Sequence, residues 1–296
     1  MSVFVLKLIA VVSMFIDHLT YVLRLSGNLS NVDLYYLGRS IGRPAFVIYC
    51  FLLVNGFDKT RDRGKYLGRL ILFALVSQLP YSLAFTAGNY WPDSSSLFRI
   101  DWLSLLPLLL PLAVYFLYGC SCRPTPSLFA LAAAFVLTRT QLIVRGVCVF
   151  SDEMNVFYTL AVSMALMMSF DRLFADEKRD WVKLLLIAAA LCAELYFVQQ
   201  EADYGLIGVA LVLGLYFCRG KKPVQLLVLA VWCVLEYHKS WFYLVGALAA
   251  LLPVLLYNGR LGPKMRSFFY VFYPAHLALL GAVFIYLARI ARASFA

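Results

Sequence analysis

Long polar stretches are what this sequence has least of. Of its 296 residues only 14% are Asp, Glu, Lys or Arg, against 63% hydrophobic, and mean hydropathy is +0.81. The longest polar stretches, around 87–101 and 171–181, are loop-sized, so no soluble domain can be carved out. There are three histidines, and the seven cysteines (Cys50, Cys120, Cys122, Cys148, Cys192, Cys218 and Cys233) form no disulfide framework. Cys120-Ser-Cys122 has no further Cys or His nearby, which argues against a metal site. A P-loop and a G-x-G-x-x-G turn are both missing, so a nucleotide held by those routes is not indicated. The N-terminal segment has no A-x-A-like cleavage site and is expected to be a retained span. Neither an internal repeat nor a low-complexity tract is present. The net charge of +10 invites a nucleic-acid partner, but the basic residues sit in short loops between apolar runs. In a membrane protein that bias sets orientation, and no nucleic-acid partner is expected.

What remains is a series of apolar runs. They predict an all-α polytopic membrane protein of about eleven transmembrane helices (9–11). The expected spans are 3–25, 38–57, 66–86, 103–119, 125–139, 154–170, 182–199, 204–218, 224–237, 241–257 and 267–288, several of them short for a full crossing. Lys59, Arg61, Arg63, Lys65 and Arg69 fall in one loop. Arg123, then Arg172, Lys178, Arg179 and Lys183, then Arg219, Lys221 and Lys222, then Arg260, Lys264 and Arg266 fall in loops on the same side. They outnumber the basic residues of the opposite loops, so the N-terminus is expected in the cytoplasm and, with an odd number of spans, the C-terminus outside.

Polar residues inside these spans stand out, because ionisable groups there cost roughly 2.5–3.5 kcal/mol each and by default mark a working site. The first span carries Lys7 and the adjacent pair Asp17-His18. Lys7 and His18 are eleven residues apart, which returns them to one helical face about 16 Å apart along the axis. Asp17 points about 100° away from His18 and so needs a partner on another helix. Arg43, just inside the second span and followed by Pro44, is the nearest candidate in sequence, although it could instead snorkel to the outer interface. Other intramembrane polar residues are Asn155 and Thr159 on one face, Glu194, Asp203-Tyr204 at the opening of a span, and His276 in the last one. Asn155 and Thr159 fit ligand contact or helix-to-helix packing, and Asp203 also fits an N-cap. His238 lies at a loop and is given no role. The basic loop holding Arg61, Lys65 and Arg69 reads either as a topology signal attracted to anionic lipid or as a landing site for a polyanion.

Several segments, in their order, resemble the TraX family, integral-membrane acetylases named for acetylation of conjugative pilin. The matching pieces are LKLIAVVSMFIDH, the run IGRPAFVIYCFLLVNGFDKTRDRGKYLGRLILFALVSQLPYSLAF, NVFYTLAVSMAL, AEL followed by DYGLIGVALVLGLYF, and LLPVLLYNGRLGPKMRSFFYVFYPAHL. They cover most of the chain outside about 87–150, which reads as a two-span insertion within a single integral-membrane domain, 1–296. That family looks related to the integral-membrane acyltransferase type 3 proteins, which carry a basic residue and a histidine separated by ten residues in the first span. Lys7 and His18 fit that spacing, whereas Asn55 stands where an acidic residue is expected.

The resemblance implies acetyl or short-acyl transfer from cytoplasmic acyl-CoA, the donor being acetyl-CoA, to a surface glycan, lipid or pilin-like acceptor at the outer face of a bacterial cytoplasmic membrane. It also implies that His18 is catalytic and that Lys7 belongs to the donor path. Asp17 would hold the ring or stabilise imidazolium, Arg43 would complete the charge balance, and Arg61, Lys65 and Arg69 would meet the donor's phosphates. Asn155, Glu194, Asp203, Tyr204 and His276 would line the acceptor side. The residues alone leave open whether His18 is a general base or an acyl carrier. They also leave open a membrane transporter or a lipid or glycan flippase, which needs intramembrane charge too.

Overall fold

The computed structural model describes residues 1–85, 97–100, 140–144, 147–150, 154–175 and 203–293. Chain contacts divide it into two compact units: Met1–Asp58, Leu83–Asn89 and Gly214–Ala296 form the first, and Lys59–Ser82 and Tyr90–Leu213 the second. Four stretches, Val3–Leu25, Val32–Lys59, Arg63–Phe85 and Phe268–Leu287, are long and apolar enough to cross a membrane, and shorter apolar helices accompany them.

In the first unit α1 (Val3–Leu25) is unbroken. At 1.5 Å per residue its 23 residues are about 35 Å long, enough for a hydrocarbon core of about 30 Å. Its first turn is satisfied from outside the helix. Val3 N donates to Arg260 O (2.8 Å) and Phe4 N to Leu261 O (3.1 Å), while Ser2 Oγ accepts from Val5 N (3.4 Å). Gly262, at φ +74°, lets that loop turn against Ser2, where a Cβ would press on the Ser2 side chain.

The expected second span is two helices, α2 (Val32–Gly42) and α3 (Pro44–Lys59), meeting at Arg43. Pro44 brings no N–H and crowds the preceding turn, which tightens: Arg43 N donates to Ser40 O (3.2 Å). The Arg39 carbonyl that would have received Arg43 N is met instead by Arg43 Nε at 3.0 Å. α2 starts at Val32, earlier than the expected span 38–57.

Gly38 and Gly42 form a G-x-x-x-G stripe where α2 meets α1. A Cβ at Gly38 would overlap the Thr20 side chain, and one at Gly42 the Asp17 side chain. Gly42→Ala is therefore expected to pry the two helices apart at a cost of about 1–3 kcal/mol, the usual range for overpacking. Thermal unfolding of the detergent-solubilised protein checks this, and an unchanged midpoint would contradict the close approach.

The first unit continues with α7 (Lys222–Tyr237), the short helices α8 (Trp241–Leu248) and α9 (Leu251–Leu255), and α10 (Arg266–Ala293). α8 lies on α2: Ser40 Oγ donates to Phe242 O at 2.5 Å, and Gly246 faces the Ser40 backbone with no room for a Cβ. Apolar residues on α7, among them Leu227, Val231 and Leu235, are exposed, as suits a lipid-facing stripe. α10 runs parallel to α1. Phe269 meets Phe4, Phe272 meets Phe15, and His276 meets His18, in ascending order on both helices.

Met1, Asp58, Arg219, Lys222 and Asn258 gather at one end of this unit. Asn258 N donates to Met1 O (2.9 Å), Lys222 Nζ to Tyr257 O (2.9 Å), and Arg219 Nε lies 3.6 Å from Asp58 Oδ1. The positive-inside rule would put this basic end in the cytoplasm. A reporter fused after Arg63 is expected to read cytoplasm and one at the C-terminus the outer side. Both reading the same compartment would mean an even number of crossings between them.

In the second unit α4 (Arg63–Phe85, to Ser82 here), α5 (Val156–Ala175) and the first part of α6 (Gly205–Phe217) are helical. Three short strands depart from an all-α reading: β1 (Leu97–Ile100), β2 (Thr140–Val144) and β3 (Val147–Phe150), in antiparallel order β1-β2-β3. Leu97 pairs with Ile143 and Ile100 with Thr140, and a register irregularity between Leu142 and Ile143 marks the β2–β3 pair. The sequences TQLIV and VCVF are rich in β-branched residues. The expected spans 103–119, 125–139 and 182–199 lie outside the described residues.

Candidate functional site

The site is built on the middle of α1, where successive residues serve different neighbours. Asp17 turns toward α2 and His18 toward α10, as the 100° step between adjacent helical residues requires.

Asp17 is buried and accepts from two guanidinium groups: Arg39 Nη1 lies 2.6 Å from Oδ2 and Arg43 Nη2 lies 2.7 Å from Oδ1. Arg39 and Arg43 sit four apart, each one residue after a glycine of the stripe, so the close helix contact carries both to the carboxylate. The side chains are 19%, 11% and 12% exposed for Arg39, Arg43 and Asp17, so the triad is largely withdrawn from solvent. Aromatic rings flank it. Arg39 lies over Tyr21 (4.9 Å) and Arg43 over Tyr243 (5.3 Å) and Tyr237 (5.9 Å).

His18 has a different partner. Its Nδ1 lies 2.8 Å from Nε2 of His276, which is 4% exposed. The two rings are inclined by only 9°. His276 Nδ1 in turn lies 2.8 Å from the Phe272 carbonyl one turn back on α10. Phe85 (5.0 Å) and Tyr273 (6.3 Å) present edges to His18, Phe272 stacks on His276 at 4.8 Å, and Phe15 closes the cluster. Among the described residues no third His, Cys, Asp or Glu joins the two histidines in a metal-binding group.

Lys7 lies on the His18 side of α1, its ammonium 5.3 Å from the Phe269 ring centroid. Phe269 and His276 are seven residues apart on α10, so Lys7 and His18 look onto one face of that helix. The loop from Asn258 to Gly262 is tied to the start of α1, which fixes the depth of Lys7 as well.

Set against the expectations, Asp17, Arg43, His18, His276 and Lys7 all belong to one unit. Asp17 was expected to hold the histidine ring or stabilise imidazolium; the ring meets His276, and both carboxylate oxygens of Asp17 meet arginines. Arg43, the expected counter-charge of Asp17, lies in that buried ion pair. Arg39 was not anticipated, because it stands at the edge of the expected span 38–57, where a basic residue reads as interfacial. R-x-x-x-R interleaved with G-x-x-x-G at 38–43 was the signal that could have found it.

The remaining candidates lie in the second unit. Arg61, Lys65 and Arg69 are exposed. Lys65 Nζ is 3.1 Å from Asp62 Oδ2, Arg69 lies over Tyr66 (5.8 Å), and Arg63 pairs with Asp171. Asp62 caps α4 by accepting from Lys65 N (2.9 Å); this bond first, then the Lys65 ammonium, hold its carboxyl below the usual range.

Asn155 is spent on the fold: Nδ2 donates to Ala74 O (2.8 Å) and Gln78 Oε1 (2.9 Å), while Oδ1 accepts from Phe157 N (3.1 Å). These bonds are the helix-to-helix packing that the sequence allowed beside ligand contact. Thr159 Oγ1 donates to the Asp203 carbonyl (2.6 Å), and Asp203 N to Met154 O (3.1 Å). Asp203 thus joins segments through its backbone. Tyr204, at φ +64°, makes the left-handed turn into α6. Glu194 lies outside the described residues.

The sequence of the chain matches a known family. The model described as "TraX protein" matches residues 2–123 and 127–284. The chain is similar to a "Probable fimbrial assembly protein FimC, serogroup H1" of Dichelobacter nodosus, 27% identical over 295 residues that cover 94% of each chain. No solved structure matches.

Proposed function

The chain belongs to the TraX family, and on that premise we propose that it is a bacterial inner-membrane acyltransferase, moving an acetyl or other short acyl group from cytoplasmic acyl-CoA to an acceptor at the outer face. The observation that carries this reading is the His18–His276 pair: an imidazole within a membrane-length helix, held by a second imidazole, on the same side of α1 as Lys7. The roughly 16 Å rise from Lys7 to His18 is of the order of a pantetheine arm, so a donor whose phosphates stay at the basic end can bring its thioester to the ring. Acetyl-CoA is the proposed donor and is consumed as a substrate.

His18 acts as general base on the acceptor's hydroxyl or amine. The acceptor atom attacks the thioester carbonyl, its proton goes to the imidazole, the C–S bond breaks and the thiolate leaves with that proton. Products are the acylated acceptor and free CoA thiol. Lys7 is proposed to attract the donor's phosphates, the exposed Arg61, Lys65 and Arg69 of the second unit are a separate candidate for that task, and the Asp17–Arg39–Arg43 triad is proposed to hold α2 against α1. A relative named for fimbrial assembly supports a surface protein of the pilus kind as acceptor class, beside envelope glycan and lipid.

Mass spectrometry of pilin-like proteins, envelope glycans and lipids from cells with and without the gene tests the reading. The expected result is an acetyl group lost from one class and restored by the purified protein with acetyl-CoA. No lost group, together with no consumption of acetyl-CoA by the purified protein, would dismiss it.

Charge removal tests the donor path. Replacing Arg61, Lys65 and Arg69 together by glutamine is expected to weaken CoA binding at least about tenfold, given roughly 1.5–3 kcal/mol at most per charge-assisted bond and 1.4 kcal/mol per decade. Lys7→Ala should weaken it too. Calorimetry in nanodiscs reads both, after membrane orientation has been verified, and unchanged affinity in both would return the loop to a topology signal.

A further inference from the structure

We infer that His276 is a positioning residue that fixes the tautomer of His18, so that the basic nitrogen of the site is His18 Nε2. This rests on the reading of His18 as general base, but the tautomer itself follows from hydrogen-bond direction alone.

The argument starts at the Phe272 carbonyl, which can only accept. His276 Nδ1, 2.8 Å away, must therefore carry a proton. In a neutral imidazole the other nitrogen then bears the lone pair, which makes His276 Nε2 an acceptor. His18 Nδ1, 2.8 Å from it, must be the donor. His18 Nε2 is left with its lone pair. Two doubly protonated rings would each offer only a donor across this contact, so the pair cannot carry two charges in this arrangement.

The direction is set by the fold. The Phe272 carbonyl is backbone, one turn before His276 on α10, and the His276 ring is clamped between the stacked Phe272 and the edge of Phe15. Both oxygens of Asp17, the carboxylate nearest in sequence, are taken by Arg39 and Arg43. The ring that orients His18 is thus an imidazole in the place where other acyl-transfer sites use a carboxylate.

The chemical consequence is a charge that spreads over two rings. His18 Nε2 takes the acceptor's proton as the acyl C–S bond gives way to a C–O or C–N bond. As imidazolium forms, the Nδ1 proton of His18 can move to His276 Nε2, with the His276 Nδ1–H still donated to the Phe272 carbonyl. The proton at Nε2 then returns to the leaving thiolate, so both rings end neutral.

Two substitutions separate positioning from packing. His276→Gln offers a carbonyl oxygen where Nε2 was and so accepts from His18 Nδ1. His276→Leu fills the space and accepts nothing. The full chain, labelled with nitrogen-15 histidine, is examined by NMR in lipid nanodiscs; with three histidines in the sequence, each ring is assigned by single replacement. Wild type and His276→Gln are expected to show His18 protonated at Nδ1 and bare at Nε2, and His276→Leu a mixture of tautomers. Acetyl transfer from acetyl-CoA should stay within about tenfold of wild type in His276→Gln and fall by about 10²-fold or more in His276→Leu, within the usual worth of general-base catalysis. His18 protonated at Nε2 in the wild type, or a leucine variant with an unchanged tautomer, overturns the inference. The expected tautomers in a protein that transfers no acyl group would uphold it and remove the acyltransferase reading instead.

Discussion

His18→Ala is expected to lower acyl transfer by about 10²–10⁴-fold, the worth of a well-placed general base, while insertion and yield stay near those of the wild type. The energetic reasoning has two sides. Deleting a polar ring from a membrane helix removes a desolvation cost. Against this, the methyl leaves space against Phe85, Tyr273 and His276 and deprives His276 Nε2 of its donor, a loss of about 1 kcal/mol. His18→Gln keeps more of the bulk without an imidazole, and separates lost chemistry from lost packing. Purified variants in nanodiscs, supplied with acetyl-CoA and the acceptor, are compared for rate and for thermal midpoint. Activity near the wild-type level in either variant would remove the basis of the proposed mechanism.

How much of this site the sequence disclosed depended on the range over which each signal acts. α1 was legible to the residue, because a 23-residue apolar run bounded by polar residues has few other uses, and the eleven-residue spacing of Lys7 and His18 is a property of the helix itself. The break at Arg43 was legible through Pro44, which acts on its own turn. Arg39 was not, since it stands at the edge of the expected span 38–57, where a basic residue reads as interfacial, and VDLYYLGRSIG is polar for a membrane helix. The contact between His18 and His276 spans 258 residues of chain, and nothing in local periodicity points across such a distance. Asn155 stayed ambiguous. A polar side chain within an apolar helix looks the same in sequence whether it faces a ligand or a neighbouring helix, and only the positions of Ala74 and Gln78 decide that.

Loss of Asp17 is expected to have the largest effect on stability. In the wild type one carboxylate answers two guanidinium groups inside the unit, and the hydrogen bonds on both of its oxygens make the burial tolerable. Asp17→Ala leaves Arg39 and Arg43 with like charge and no counter-ion, on side chains only 19% and 11% exposed. Breaking a buried pair by removing one partner costs about 3–5 kcal/mol, because the remaining charge is uncompensated. Here two charges remain, one of them on an arginine whose buried Nε already lacks a hydrogen-bond partner. Asp17→Ala should therefore unfold well below wild type in a detergent thermal melt, and accumulate poorly in the membrane. Asp17→Asn, which retains an acceptor without the charge, should fall between the two. The decisive comparison is a compensated chain, Asp17→Asn with Arg39→Gln and Arg43→Gln, in which no charge needs a partner. It is expected to recover much of the thermal midpoint lost in Asp17→Ala, as replacing a complete buried ion cluster by neutral groups often does. An Asp17→Ala chain as stable as wild type would mean that water reaches both arginines. A compensated chain no better than Asp17→Ala would mean that shape, and not charge, holds α2 against α1.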